Sequence, residues 1–442
     1  MSPPVDPVQS DPKLPTSADV VIIGGGIIGS ATAYYLAKRG MSVALVEKGR
    51  IAGEQSSRNW GWCRQQDRDR AEIPLIKESL RIWGDLNTEI GADTGFRRTG
   101  VLYVTQDPQE LAKWERWMEH AREYQLHSRL LSAAEAQAMT PGCEHKWIGG
   151  LHTPSDGRGE PSMAGPAIAT AARKLGATIH QNCAARGLET EGGAVTGVVT
   201  EHGTIRTKKA LCAGGAWSSL FCRRHGIDLP QLTVRASVQR TEPAPEVFDS
   251  ALGTPSFGIR RRLDGGFTVG YRNQVSFHIT PDAIRYFRKF WPAFRYESRN
   301  IKLELGSDFW KALFRPSNWP LDKPSPFEEV RILDPEPDRK LLERALGNFK
   351  TGYPSLKNIK MAETWAGMID ITPDAIPVIS PVEAIPGFFL ATGFSGHGFG
   401  IGPGAGRLAA DMLAGETPIV DLKPFRYSRM IDGTKLQPES RL

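Results

Sequence analysis

Cysteine is scarce and scattered in this chain: five in 442 residues, at Cys63, Cys143, Cys183, Cys212 and Cys222. An odd number, with no CxxC pair and no histidine at zinc-site spacing, argues against a disulfide framework and against structural zinc. The five read as reduced thiols, which predicts a cytoplasmic protein. Long apolar runs are missing as well, since Gly, Lys or Arg breaks each candidate well short of the roughly 20 residues that a membrane helix needs. The first 17 residues lack the charged-then-apolar pattern of a secretory signal and read as a disordered lead-in. No internal repeat and no nucleic-acid-binding motif occurs. The formal charge of +6 is spread along the chain, so it favours a small anionic ligand over a nucleic acid.

What the chain does have is 40% hydrophobic residues, enough for a large core in about two domains. Residues 19–23 (DVVII) form a short apolar run of the kind that makes a buried parallel strand. Gly24-Gly25-Gly26-Ile27-Ile28-Gly29 follows at once, then small and apolar residues at helical spacing over 30–39, stopping at Gly40. A second strand, 42–46, ends in Glu47, about 20 residues beyond the glycines. Strand, glycine turn, helix, strand and acid in this register are the fingerprint of a dinucleotide cradle. Gly24 makes the tight turn, Gly26 lets the backbone approach a pyrophosphate, Gly29 lets the helix pack on the strand, and Glu47 takes the ribose.

A second glycine loop lies near the other end. Residues 388–391 read as a buried strand, running into Thr392-Gly393-Phe394-Ser395-Gly396-His397-Gly398-Phe399-Gly400-Ile401-Gly402, with a helix expected over 404–413. Backbone N–H groups and a helix N-terminus at such a loop suit negative charge.

With these two motifs, Ala213-Gly214-Gly215-Ala216-Trp217 and Trp365-Ala366-Gly367-Met368-Ile369-Asp370-Ile371-Thr372-Pro373-Asp374 stand in order between them. The chain thereby resembles the D-amino acid oxidase and sarcosine oxidase family over nearly its whole length. The resemblance implies an α/β fold with a discontinuous Rossmann-type FAD-binding domain (18–95, 150–232 and 360–424). It also implies an α+β substrate domain with a large mixed sheet (96–149 and 233–359), leaving tails at 1–17 and 425–442. Non-covalent FAD is implied, because Gly367 stands where the monomeric sarcosine oxidases have their flavin-linking cysteine. The expected cofactor contacts are Gly24, Gly26, Ile27, Ile28, Gly29, Glu47 and Lys48, then Ser56, Ser57 and Arg58, then Ala184, Ala213, Gly214 and Trp217. Gly396, Gly398, Phe399, Gly400 and Ile401 complete them, placed to stabilise the negative charge of reduced flavin.

For catalysis the resemblance points to Arg64, Thr268, Arg272 and His397. Arg64 lies nearest the arginine that grips the substrate carboxylate in sarcosine oxidase-like relatives; Arg68 and Arg70 are expected to be solvated. Residues 256–262 and 266–272 read as a hairpin, with Thr268, Gly270 and Arg272 on one face. Thr268 and Arg272 stand where those relatives carry a lysine and a histidine. The lysine promotes reaction with oxygen, so threonine weakens the case for an oxidase, and a second arginine suits an imino-diacid such as iminodiacetate. The arginine of the WxGxRP motif is absent. The expectation is hydride transfer from the carbon beside the nitrogen of a small anionic amino acid, with molecular oxygen or another acceptor taking the electrons. The alternatives are a dehydrogenase subunit working with a partner subunit, of opine or proline type, and an NAD-dependent dehydrogenase. Residues 284–313 mix aromatics with Arg and Lys; partial core packing is expected, with a lid, a subunit contact or a membrane patch as alternatives.

Overall fold

The computed structural model describes residues 3–272, 274–298 and 300–438. Val20–Ile23 and Val43–Val46 are apolar at every position and every residue is buried, as strands covered on both faces must be. They sit side by side in a six-stranded sheet of order Val378–Pro381, Phe388–Thr392, Ala210–Cys212, Val20–Ile23, Val43–Val46, Thr178–His180. All neighbours are parallel except the first pair. Helices Ile27–Lys38, Ile73–Ile90, Pro161–Lys174 and Gly398–Ala414 bury their apolar residues against one face. A three-stranded sheet, 185–206, and the residues around Trp217 cover the other.

The helix Ile73–Ile90 carries buried Ile73, Ile76, Leu80, Trp83 and Ile90 at helical spacing. The C-terminal helix begins at Gly398 and not near 404. Glycine disfavours an isolated helix, but here close packing overrides propensity. A methyl at Gly404 would lie 2.7 Å from Ser79 Cβ, and one at Gly406 only 2.3 Å from Ala31 Cβ. The Ser79 hydroxyl donates to Gly400 O (2.7 Å), and the Trp83 indole donates to the same carbonyl (2.9 Å). Three helices thus meet through backbone that side chains would hold apart.

A ten-stranded mixed sheet forms the second half, with Leu232–Thr241 paired along its length to Met361–Ile371. That pairing puts residues 361–371 with the substrate sheet, not with the nucleotide segment expected from 360 onward. Gly149–Thr153 joins the same sheet through Val101–Thr105. Conversely, Trp319, Phe327, Val330 and Leu333 pack with Trp217 and Phe221 on the nucleotide side. The hairpin is present as Gly258–Arg261 and Phe267–Gly270, with Gly258 opposite Gly270 and Arg260 opposite Thr268. Arg272 falls in the turn that follows.

Neither tail behaves as a loose end over its described residues. Asp11 accepts a fork from Arg173 (2.7–3.1 Å) and the Ile179 amide (2.9 Å), and Asp6 N donates to Ser162 O. Arg429 is buried and paired with Asp374 at 2.8 Å. In the region 284–313, Tyr286 and Phe290 pack with Leu232, Val234 and Ile371, while Phe287, Trp291 and Trp310 are exposed. Among the described residues no helix is long and apolar enough to cross a membrane.

Gly406→Val should destabilise the protein by about 1–3 kcal/mol or more through overpacking against Ala31. Gly347→Ala, on helix Arg339–Gly352 where a methyl meets nothing within 4 Å, should stabilise by about 0.5–1 kcal/mol. Urea titration of both variants checks the contrast.

Candidate active site

The carboxyl ends of Val20–Ile23, Ala210–Cys212 and Phe388–Thr392 open onto one cavity of about 340 Å³. Gly24 turns the first strand into the helix at φ +109°, where a Cβ would lie 2.5 Å from Ala213 O. Gly29 does not line the cavity; a Cβ there would come within 2.0 Å of Gly24 O, so it sets the helix on its strand. Gly26, Ile27 and Ile28 do line it. The helix Ile27–Lys38 has no side-chain cap and no acid in its first turn. Ile27 N donates to the Ser56 hydroxyl (2.8 Å), which is also the atom that a Cβ at Gly26 would meet, at 3.1 Å. A helix N-terminus behind a glycine, with no acid in its first turn and facing open space, fits a phosphate-bearing cofactor.

Glu47 accepts the amides of Gly25 and Gly49, both at 2.7 Å. Burial pushes its pKa above the ordinary carboxylate value, against the pull of Lys48 and those amides. Lys48 lines the cavity, but its ammonium is committed to Glu54 (2.6 Å) and to the carbonyls of Val330 and Arg331 (both 2.9 Å), 4.5 Å above the Trp217 ring. Arg58 ties Asp334 (2.7 Å) to Ala366 O (2.8 Å). Ala213, Gly214 and Trp217 line the same end. Ser57 and Ala184 do not: the Ser57 hydroxyl turns to Glu54 O, and the Ala184 amide to Glu201.

At the other end Gly396, His397, Gly398 and Phe399 line the cavity at the start of the C-terminal helix. Gly400 and Ile401 face away, into the packing against Cys63 and the helix core. Two helix N-termini therefore aim their positive ends at one space. His397 Nδ1 meets the buried Glu72 carboxylate at 2.8 Å, with Arg68 behind at 4.0 Å. Burial, and then Arg68, hold His397 below its ordinary pKa, against the pull of Glu72. Arg68 is not solvated: it is buried and lines the cavity, and burial together with Arg64 pushes its pKa down to about 9. Arg70 is exposed on Glu123, as a solvated residue should be.

Between the two halves the segment 60–68 crosses the hairpin. Trp60 lies on the Gly258–Gly270 pair, where Cβ atoms would come within 2.2 and 2.5 Å of its ring. Its carbonyl accepts from Arg260 Nε (2.6 Å), and Arg260 forms a buried fork with Glu160 (2.7 and 3.1 Å). Thr268 lies on this covered face. Its hydroxyl accepts from Arg260 (3.1 Å), and Thr268 does not line the cavity, where its expected part in the reaction with oxygen would place it. Trp60, Trp62 and Tyr103 form a run of edge and tilted contacts along the cavity wall (5.1 and 5.9 Å). Arg64 and Arg272 flank the Tyr103 ring at 5.8 and 4.0 Å.

A family model described as FAD dependent oxidoreductase, DAO, matches residues 19–412. The chain belongs to this family. By this membership it is an FAD-dependent oxidoreductase. The L-amino acid deaminase from Proteus myxofaciens, solved in complex with anthranilate, is 32% identical, with a TM-score of 0.93 over 97% of each chain. The L-amino acid deaminase from Proteus vulgaris is 31% identical, with a TM-score of 0.90 over 95% of this chain and 99% of that one. Human mitochondrial sarcosine dehydrogenase is 28% identical over 428 residues, 94% of this chain; the chain spans 42% of that protein.

In this oxidoreductase the end of the cavity beside the ten-stranded sheet is rich in charge held in pairs. Arg272 meets Glu110 at 3.1 Å; although burial opposes its charge, Glu110, Tyr103 and Asp67 keep it protonated. Asp67 meets Lys113 at 3.2 Å, and Lys113, Arg64 and Arg272 outweigh burial to hold it below the carboxylate range. Arg64 donates to Gln66 O and has no carboxylate within 4 Å among the described residues. Sequence reasoning missed Trp60, Trp62, Tyr103, Arg68 and Glu72. The apolar spacing of 73–90 was the available signal for Glu72, at the head of that helix.

Glu160→Gln would strand the Arg260 guanidinium in the interior, and a loss of about 3–5 kcal/mol is expected. Denaturant titration measures it, and weakened retention of FAD should accompany it as Trp60 loses its anchor.

Proposed function

We propose that this enzyme oxidises the C–N bond of an amino acid carrying a single carboxylate, which Arg64 holds. The observation that carries this reading is Arg64's charge: it lines the cavity without an ion partner among the described residues, while Arg68 and Arg272 have Glu72 and Glu110. A bidentate guanidinium–carboxylate pair there fixes both the position and the rotation of the substrate. The commitment of Arg272 to Glu110 removes the support for an imino-diacid. Similar proteins are named for L-amino acids and for sarcosine, and sarcosine carries a single carboxylate.

Bound FAD supplies the hydride acceptor. Gly24, Gly26 and Ser56 would hold its pyrophosphate, Glu47 its ribose, and the N-terminal turn at His397–Phe399 its isoalloxazine. Gly367 packs on Gln55 and has no nucleophile to offer, which supports non-covalent binding. The chain's own work is to orient and to exclude water: Trp60, Trp62 and Tyr103 wall the reacting carbon, and positioning supplies most of the rate. The imine leaves to be hydrolysed to an oxo acid and ammonia or an amine.

Anaerobic mixing with monocarboxylate amino acids of both hands, sarcosine and iminodiacetate tests the reading by loss of the oxidised-flavin absorbance. Monocarboxylates should bleach the flavin faster than iminodiacetate; the reverse order sinks the single-carboxylate assignment. Arg64→Met should raise KM by roughly 30-fold or more, equivalent to about 2 kcal/mol.

A further inference from the structure

The arginine that meets the substrate is itself held from behind. Asp156 lies outside the cavity, fully buried, in the turn after Gly149–Thr153. Its carboxylate accepts the amides of Gln65 (3.0 Å) and Gln66 (3.2 Å). Two side-chain bonds reinforce this junction: Gln65 Nε2 donates to Ser155 Oγ (2.6 Å), and Thr153 Oγ1 donates to Gln66 Oε1 (2.9 Å). The turn is anchored in its own right by Asp156 N on Thr153 O and Gly100 N on Asp156 O. On the cavity side Arg64 Nη1 donates to the carbonyl of Gln66, and Arg68 Nε donates to the carbonyl of Arg64 (3.1 Å). The position of the Gln66 peptide thus sets where the Arg64 fork points.

We propose that Asp156 is the positioning residue for the substrate carboxylate, aiming Arg64 through the Gln65 and Gln66 amides. This rests on the reading that Arg64 binds that carboxylate. A carboxylate is the group the junction requires. Two N–H donors converge on its two oxygens, and an asparagine in its place would turn an NH₂ toward one of them. The charged groups facing Asp156 are Arg64 and Arg68 from the segment it holds, and the buried Cys63 thiol lies on the adjoining strand. Burial raises the Asp156 carboxyl to about 7, against the pull of the two amides and the two arginines. A carboxyl raised in this way is charged only above that value. The hold on Arg64 is therefore present at higher pH and is lost as the pH falls through about 7.

Benzoate separates this from titration of a substrate amine, because its single carboxylate stays ionised across the range. On the FAD-loaded enzyme, its Kd read from the flavin spectrum should be about tenfold weaker near pH 6 than near pH 8. Asp156→Asn should bind weakly at both, with the pH dependence gone. Wild-type affinity in Asp156→Asn, or a pH dependence that persists in it, overturns the proposal. If that variant fails to accumulate folded, the wild-type profile decides, and a flat one overturns it. Arg64→Met distinguishes the underlying reading: undiminished benzoate binding there sinks the Arg64 assignment. Loss in Arg64→Met with Asp156→Asn unchanged sinks only the role of Asp156.

Discussion

The architecture depends on how closely the helix Ile27–Lys38 can approach both its own strand and the C-terminal helix. Gly29 against Gly24 O sets the first approach, and Gly406 against Ala31 the second. No residue with a side chain fits either contact without moving a backbone. Because the two helices share that packing, their N-terminal ends converge on one cavity at the carboxyl ends of the central strands, the position where open α/β sheets bind ligands. The positive field of the site is a product of backbone geometry before any charged side chain contributes.

The second sheet supplies the other end of the cavity, and the segment 60–68 joins the two. A pair of facing glycines in the hairpin makes a flat seat for Trp60, and the buried Arg260–Glu160 pair fastens the Trp60 carbonyl beside it. From that seat the chain carries Trp62, Arg64, Asp67 and Arg68 along the cavity wall. Of Arg64, Arg68 and Arg272, Arg64 alone has no carboxylate within 4 Å among the described residues.

The fold class was legible because the first 50 residues agree at every level: apolar strands, punctuating glycines, a helix of small residues and a terminal acid. The cradle and the glycine loop are local in sequence, so their residues could be named in advance. Features set by distant partners were not legible. The helix at Gly398 looked like a loop because only contacts with Ser79 and Ala31 make its glycines favourable. Arg68 looked solvated because Glu72 and the helix behind it had not been read. Thr268 was placed by counting along a strand, and nothing local says that Trp60 covers that face. Asp156, in a Ser-Asp-Gly stretch, reads as an ordinary turn until the two amides it accepts are seen.

The central strand, Val20–Ile23, has one neighbour that follows it closely in the chain and another, Ala210–Cys212, nearly two hundred residues later. The strand that leads into the glycine loop, Phe388–Thr392, comes later still, and it pairs with Ala210–Cys212. A ribosome synthesising this chain therefore releases the first glycine turn long before the C-terminal glycine turn exists. Domains that are contiguous in sequence can fold as they emerge, whereas this one cannot close until its last helix has been made. Cofactor loading consequently waits for the helix Gly398–Ala414, and until it is made the apolar strands of the half-built sheet must be kept from pairing elsewhere.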